Sequence, residues 1–337
     1  MSNYENSYIY EYIWIDGWNK LRSKIRVIKS ELELNIDTLP NWNFDGSSTN
    51  QANSDGNTEV ILKPVKKYNS FFNNTLLVLV LCETYNVDGT PHETNSRYNA
   101  KQIFDKHLFE KPWFGLEQEY FMIFSSDYKK ESNNYYCGTS LGDIQRKIMI
   151  EHLKCCIDCG LNISGTNAEV SDQQWEFQIG PCLGIESGDH VTMSRFLLER
   201  IAEKYNVTIS YEPKPINDIN GSGCHINFST INTRNKSDEN GKSGLSYIYD
   251  YINKLKQSHC EMNEVYGENN HLRLTGKHET SSFHTFTSGI GTRNTSIRIP
   301  NETHINNCGY LEDRRPGANI DPYKATSRLF INSINLF

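Results

Sequence analysis

Three features of the 337-residue sequence predict an α+β fold. Strand-like runs crowd roughly the first 85 residues. Beyond about residue 90, apolar strand-like segments mix with long amphipathic ones without a regular βαβ alternation, which favours an antiparallel sheet over a doubly wound one. Apolar residues at 37% and aromatic residues at 12% suffice to fill a core. At about 150 residues per domain, the length suggests two domains.

Residues 8–35 carry the runs YIYEYIWID and KIRVI between polar turns, and residues 58–84 carry TEVILKPV and TLLVLVLCETY. Leu76–Cys82, LLVLVLC, is rich in Leu and Val and has no helical period, so it reads as a buried strand. A membrane helix needs about 20 such residues. Between these runs, NWNFDGSSTNQANSDGN reads as a loop. Residues 94–110 suit a helix with Ala100, Ile103, Phe104 and Leu108 on one stripe. Leu116–Phe124 suits a strand, Ser125–Asn134 a polar loop, and Leu141–Cys159 a long amphipathic helix. Asn167–Ile179 reads as strand, turn and strand, and His190–Tyr205 and Ser243–His259 as helices. Asn-rich stretches such as NTRNKSDENGKSG are expected to be exposed loops.

A net charge of −7 argues against non-specific nucleic-acid binding, and any anionic substrate must be held by local cations. The N-terminal stretch MSNYENSYIYEYIWID has no basic segment followed by an apolar core, so no secretory signal is expected. Cys155, Cys156 and Cys159 contain one C-x-x-C, but no second pair or clustered His lies nearby. Buried free thiols on a helix, in a reducing cytoplasm, are the expectation.

The chemistry-bearing residues are acidic pairs, one histidine and several arginines. Glu117 and Glu119 lie in the apolar context PWFGLEQEYFMIF. On a strand, residues two apart share a face, so both carboxylates point one way while Leu116 and Tyr120 point the other. Such a pair is costly when buried unless a cation neutralises it, though a solvated strand face is equally open. In NAEVSDQQWEFQIG, Ser171 and Asp172 can turn two strands against each other. Glu176 there alternates with Trp175 and Phe177, and Gln178 points with it; singly this is a half-exposed hairpin. His225 follows small residues in NGSGCHINFS, which let backbone approach a ligand closely, although a lone His is more often structural. Glu312, beside Arg314 and Arg315 in GYLEDRRPGAN, reads alone as a surface ion-pair cluster. Arg298 alternates with Ile in SIRIP, and so sits on a strand. Together, several carboxylates and a His suit Mg²⁺ or Mn²⁺, and Arg273, Arg293, Arg298 and Arg314 suit phosphate or carboxylate. That combination points to metal-assisted phosphoryl transfer. The chain has neither a G-x-x-x-x-G-K-[ST] loop nor the H-R-D and D-F-G pair of protein kinases.

From about Tyr12 to Arg328 the chain closely resembles the shorter, eukaryotic-type class of glutamine synthetase. The resemblance rests on seven blocks in the family's order: NFDGSST, PWFGLEQEY, GTNAEVSDQQWEFQIGPC, KPINDINGSGCHINFS, RLTGKHET, SIRIP and GYLEDRRPGAN. It implies a β-grasp domain at 7–86 and a catalytic domain at 91–337, with a curved antiparallel sheet flanked by helices. It also implies ATP-dependent ligation of L-glutamate and ammonia through γ-glutamyl phosphate, releasing ADP and phosphate. Two or more Mg²⁺ or Mn²⁺ ions are implied, one held by Glu119, Glu169 and Glu176, another by Glu117, His225 and Glu312 near the ATP phosphates. Glutamate would be bound by Asn220, Gly221, His225, Arg273, Arg293 and Arg314, and ATP by Glu117, Glu176, Asn227, Ser229, Arg293, Arg298, Tyr310 and Glu312. Asp45, Ser48, Tyr136 and Glu176 would form the ammonium site, with Asp45 as base. Glu279 would close over the acyl phosphate, and Arg293 and Arg314 would stabilise the transferring group.

The resemblance further implies a cytoplasmic homo-oligomer, two stacked pentamers with active sites between subunits, and neither nucleic-acid nor membrane partners. Four places depart from the family pattern. Residues 214–220 are one residue short and lack a Trp; SSDYKKESNN replaces a longer Gly/Pro-rich loop; Leu272 replaces an Arg in a shortened VYGENNHLRLTG; and the C-terminus stops early. Two alternatives are a non-catalytic structural homologue and a ligase for a larger amine. Retention of all six metal-type residues speaks against the first, and retention of Asp45, Tyr136 and Glu176 against the second.

Overall fold

The computed structural model describes residues 7–53, 56–69, 77–124, 136–139, 143–217 and 219–334. The expected Ser125–Asn134 loop, Leu76 and Leu141 fall outside the described residues. The chain divides into two compact units, Met1–Asn99 with Lys154–Leu161, and Ala100–Leu153 with Asn162–Phe337.

The first unit is built on a five-stranded sheet: β1 (Ser7–Ile15), β2 (Leu21–Lys29), β3 (Trp42–Asp45), β4 (Glu59–Asn69) and β5 (Leu77–Tyr85), in the order β2-β1-β5-β4-β3. β1 and β5 run parallel and the other pairs antiparallel. β5 lies centrally, and its Val78–Cys82 run is buried on both faces, as its unbroken apolar sequence predicts. β1 alternates, turning Tyr10, Tyr12 and Trp14 into one core with Leu62, Val78 and Val80. Pro64 cannot donate to the ladder, and the β4–β5 register shifts between Pro64 and Lys66.

The expected loop at 41–57 begins instead with β3. Trp42 and Phe44 turn inward, with ring centres 5.7 Å from Tyr12 and 4.6 Å from Trp14, while Asn43 and Asp45 face out. Its period of two was hidden by polar neighbours over only four residues. Helices α1 (Ser96–Lys106) and α2 (Asp143–Asp158) follow. Cys155, Cys156 and Cys159 are buried thiols outside any disulfide, as expected, and the Cys159 thiol donates to the Asn69 carbonyl at 3.0 Å.

The second unit contains β6 (Trp113–Ile123), β7 (Ile163–Ala168), β8 (Gln174–Leu183), β9 (Thr208–Ser210), β10 (Cys224–Ser229), β11 (Ser288–Ile290), β12 (Ile297–Ile299) and β13 (Leu311–Asp313). They form one sheet in the order β11-β12-β13-β10-β6-β8-β7, with β9 also pairing β6; all pairs but β11–β12 are antiparallel. Flanking helices are α3 (Glu186–Glu203), α4 (Ile231–Arg234), α5 (Gly244–Gln257), α6 (His259–Val265), α7 (Asn301–Asn306) and α8 (Pro322–Ile334). The α+β class read from the sequence stands. On the helix side of β6 and β10, Phe114, Leu116, Tyr120, Ile226 and Phe228 are fully buried, each stabilising the fold by roughly 2 kcal/mol.

Boundaries moved for local reasons. α3 begins four residues before His190, because Glu186 and Asp189 in its first turn complement the helix N-terminus. The Ser243–His259 helix starts at Gly244, since the Ser243 hydroxyl caps it by accepting from Ser246 N at 3.2 Å, and His259 opens α6 instead. The first strand of the 167–179 hairpin starts earlier, at Ile163, and ends at Ala168.

Among the described residues no helix is long and apolar enough to cross a membrane.

Candidate functional site

The site grows from the alternation of β6. Leu116, Gln118 and Tyr120 are buried on the helix side, and Glu117 and Glu119 face the other way. Gln118 tolerates its apolar side because its Oε1 accepts from Arg195 at 2.6 and 2.9 Å and its Nε2 donates to the Ala318 carbonyl at 3.0 Å. Register then decides what stands beside the carboxylates. Glu119 pairs with Glu176 on β8, and Glu117 with Gln178 on β8 and His225 on β10. On the next strands, Asn227 pairs with Glu312, and Glu312 with Arg298. Glu169 sits just past β7, its amide donating to the Gln174 carbonyl at 2.9 Å across the turn that Ser171 and Asp172 were expected to make.

Two triads result, Glu119–Glu169–Glu176 and Glu117–His225–Glu312, and within each the potential ligand atoms lie within 4.8 Å of one another. Facing carboxylates at that spacing repel, and burial worsens it. Burial, and then the Glu169 charge, push Glu119 up to about 8. Burial, followed by Glu117, Glu119 and Glu169, pushes Glu176 up to about 9. Burial likewise raises Glu169. Burial, and then the Arg314 charge, hold His225 well below the usual imidazole range, so it is neutral and its ring nitrogen is available as a donor. One all-oxygen set and one set of two carboxylates and an imidazole fit hard divalent cations such as Mg²⁺ or Mn²⁺.

Glycines allow the close approach. A Cβ on Gly223 would lie 2.9 Å from His225 Nε2 and 3.0 Å from Arg273 Nη1, and the Gly223 amide donates to Glu119 Oε2 at 2.5 Å. A Cβ on Gly221 would lie 2.2 Å from the Pro213 carbonyl oxygen.

Both triads line a polar cavity of about 380 Å³, together with Asn220, Gly221, Tyr136, Glu279, Arg273, Arg293, Arg298 and Arg314. Glu312 is not at the surface: it is 1% exposed, accepting from Arg298 Nη1 at 2.8 Å and Arg314 Nη1 at 2.6 Å. The surface reading of Glu312, Arg314 and Arg315 is therefore corrected; Glu312 and Arg315 pair with oppositely charged groups inside the fold. Arg273 is buried, donating from Nη2 to the Arg315 and Pro316 carbonyls at 2.7 and 2.9 Å. Burial lowers its pKa to about 10, which leaves it charged. Glu279 lies 3.6 Å from Arg293, and hydrogen bonding to Tyr136 keeps the Arg293 guanidinium protonated.

A neighbouring, more apolar cavity of about 520 Å³ is lined by Glu117, Asn227, Ser229 and Tyr310, with Trp113 and Arg234. Asp45 and Ser48 lie in the first unit, at the end of β3 and in the turn after it. Hydrogen bonds from the Ser47 hydroxyl and amide, at 2.7 and 3.0 Å, lower the Asp45 pKa, so it is ionised.

Sequence reasoning missed Asn167, Gln174, His278, Thr280 and Arg234 as lining residues. Asn167 donates to Glu169 Oε1 at 2.9 Å and accepts from Gln178 Nε2 at 2.7 Å, while Gln178 also donates to Glu176. The available signal was spacing, since Asn167 stands two residues before Glu169 as Gln178 stands two after Glu176. Arg234 gave none: its guanidinium stacks 4.1 Å from the Trp113 ring, 121 positions away in sequence by subtraction, and donates to Ser229 Oγ at 2.8 Å.

The family model "Glutamine synthetase, catalytic domain" matches residues 90–334. The chain is similar to a putative glutamine synthetase of Acanthamoeba polyphaga mimivirus, 49% identical over 332 residues that span 95% of this chain and 92% of that protein. It is 47% identical to glutamine synthetase of Neurospora crassa, over 94% of this chain and 89% of that protein. It is 46% identical to that of Saccharomyces cerevisiae, over 94% and 87%. A cryo-EM structure of Plasmodium falciparum glutamine synthetase aligns with a TM-score of 0.79 over 99% of this chain and 73% of that one, at 17% identity, a likeness of fold. With one family model covering most of its length and relatives nearly half identical from end to end, this chain belongs to the glutamine synthetase family.

Proposed function

We propose that the protein is an ATP-dependent glutamate–ammonia ligase that makes L-glutamine through γ-glutamyl phosphate and releases ADP and phosphate. The observation that carries this reading is the pair of metal-type triads beside four arginines in one cavity. Anionic nucleophile and polyphosphate repel each other, and such a site offsets that repulsion.

Glu119, Glu169 and Glu176 would hold one divalent cation, and Glu117, His225 and Glu312 another. When bound, the ions neutralise charge on the transferring phosphoryl group and on the carboxylate that attacks it. The remaining work belongs to the chain's own residues. Arg273, with Asn220 and Gly221, binds the glutamate carboxylate and orients its γ-carboxylate; a guanidinium already fixed by three backbone carbonyls and Asn270 loses little freedom on binding. Arg293 and Arg314 stabilise charge on the phosphoryl group. Arg298, Asn227, Ser229 and Tyr310 bind ATP. Asp45, with Ser48, Tyr136 and Glu176, holds ammonium, and Asp45 takes its proton so that ammonia attacks the acyl carbon. Glu279 closes over the acyl phosphate, excludes water, and accepts a proton from the added amine.

The same reading extends to organisation. Residues 7–86 form a β-grasp domain, supported by the mixed sheet with a parallel β1–β5 pair. Residues 91–337 form the catalytic domain. Subunits assemble as two stacked pentameric rings in the cytoplasm, with Asp45 completing a neighbour's site. The decisive experiment is phosphate release from purified protein given glutamate, ATP and Mg²⁺, with and without ammonium. Ammonium-dependent phosphate matched by glutamine supports the proposal; phosphate release without glutamine overturns it.

A further inference from the structure

β13 and the two residues after it serve the candidate site with one side and a second, buried network with the other. Glu312 and Arg314 line the cavity, whereas Asp313 and Arg315 are both 0% exposed. Arg315 donates from Nε to Asp313 Oδ1 at 2.9 Å and from Nη2 to Oδ2 at 2.6 Å, and the Tyr266 hydroxyl donates to the same Oδ2 at 2.7 Å. Arg315 Nη1 donates to His259 Nδ1 at 3.2 Å. A guanidinium only donates and a carbonyl only accepts. His259 therefore carries its proton on Nε2, where it donates to the Phe283 carbonyl at 3.1 Å. Asn263 Nδ2 donates to that carbonyl too, at 2.9 Å. The Arg315 guanidinium also lies 5.2 Å from the ring centres of both Tyr266 and Phe286, so residues 283–286 are gripped by stacking as well.

Phe283 is one foot of the loop that carries Glu279. Its amide donates to the Leu274 carbonyl at 2.8 Å, and the Gly276 amide to the Ser281 carbonyl at 3.2 Å, so the loop is closed at its neck. At its tip, His278 and Glu279 have φ of 52° and 60°. Two successive non-glycine residues in the left-handed region persist only where their surroundings enforce it. Arg314 Nη2 donates to the Glu279 carbonyl at 3.4 Å, which holds the tip from the site side.

We propose that Arg315 and His259 are positioning residues. The relay Asp313–Arg315–His259–Phe283 anchors the neck of the 274–283 loop to the back of the segment bearing Glu312 and Arg314, so that the strained tip keeps Glu279 over the cavity. This rests on the ligase reading above, in which the loop shields the acyl phosphate from water. With the neck loosened, a water oxygen bonds to the acyl carbon in place of ammonia. The bond from that carbon to the phosphate oxygen breaks, phosphate leaves with the electron pair, and the water's protons pass to phosphate and solvent. ATP is then spent and glutamate regenerated without glutamine.

The test measures phosphate and glutamine formed by the full-length wild-type protein and by His259→Leu, His259→Gln and His259→Asn, with thermal melts to confirm folding. Wild type is expected to give about one phosphate per glutamine, and His259→Leu about threefold more or greater, with KM for ATP changed less than about twofold. His259→Gln, whose Nε2 reaches the same carbonyl, restores coupling. A folded His259→Leu that still couples one to one overturns the relay. Should that variant fail to fold, His259→Asn keeps an acceptor for Arg315 near the Nδ1 position but is too short to donate to the Phe283 carbonyl; unchanged coupling there overturns it equally. Uncoupling that His259→Gln does not relieve also counts against it. A wild-type chain that makes no glutamine overturns the ligase reading, and the relay's role with it.

Discussion

Glu119 on β6 and Glu176 on β8 are direct cross-strand partners, two carboxylates facing each other in the candidate cavity. Their raised pKa values, about 8 and about 9, mean that the metal-free protein near neutrality keeps both protonated. Coordination requires the ionised form. Adding Mg²⁺ or Mn²⁺ at about pH 7 should therefore release on the order of two protons per chain. An indicator dye in weakly buffered solution reads this directly, and metal binding without proton release would contradict the assignment.

Stability follows with a defined sign. A carboxylate whose folded-state pKa is raised favours the fold below its ordinary value of about 4.5, and that contribution disappears as pH climbs through the folded-state value. The melting temperature of metal-free protein should fall between about pH 5 and pH 9, and divalent cation should restore it. Glu176→Gln removes one of the facing charges. It should flatten this fall in differential scanning fluorimetry while abolishing turnover.

Gly223→Ala tests the tight packing around His225. The added methyl would meet both His225 Nε2 and Arg273 Nη1. Circular dichroism should remain native-like, while affinity for Mn²⁺ or glutamate drops by about tenfold or more, some 1.4 kcal/mol. Retained affinity would show that the two side chains can retreat without consequence.

His152 predicts acid sensitivity. Its ring is buried, 5.0 Å from Phe177, and its Nε2 donates to the Ser194 carbonyl at 3.0 Å; burial lowers its pKa to about 4. A depressed histidine supports the fold above its unfolded value of about 6.5 and ceases to do so as pH drops toward 4, a loss on the order of 3 kcal/mol. Urea unfolding across that range should show the loss, and His152→Gln should reduce its slope.

Asp45→Ala should raise the KM for ammonium by about tenfold or more and leave the KM for ATP within about twofold. Equal damage to both would recast Asp45 as a folding residue.

Much of the site was legible because its signals are local. The spacing of Glu117 and Glu119 fixed their shared face, Trp175–Phe177 flanking Glu176 fixed another, and Ile297 and Ile299 put Arg298 on a strand. The burial of Glu312 was not legible, because it depends on β13 lying between β10 and β12, a pairing of segments some 80 residues apart. β9, β11 and β13 are three residues each, and none has the two apolar residues flanking a charged one that mark β12. β3 was lost to its polar surroundings, and the Arg315–His259 contact is one between distant segments that neither segment announces alone.

The alternation of β6 carries a consequence for how this chain can change. A one-residue slip of that strand would turn Leu116 and Gln118 toward the cavity and drive two carboxylates into the hydrocarbon interior. Side chains there can be swapped far more freely than the strand's residue count can change, so length variation is better absorbed beyond its ends.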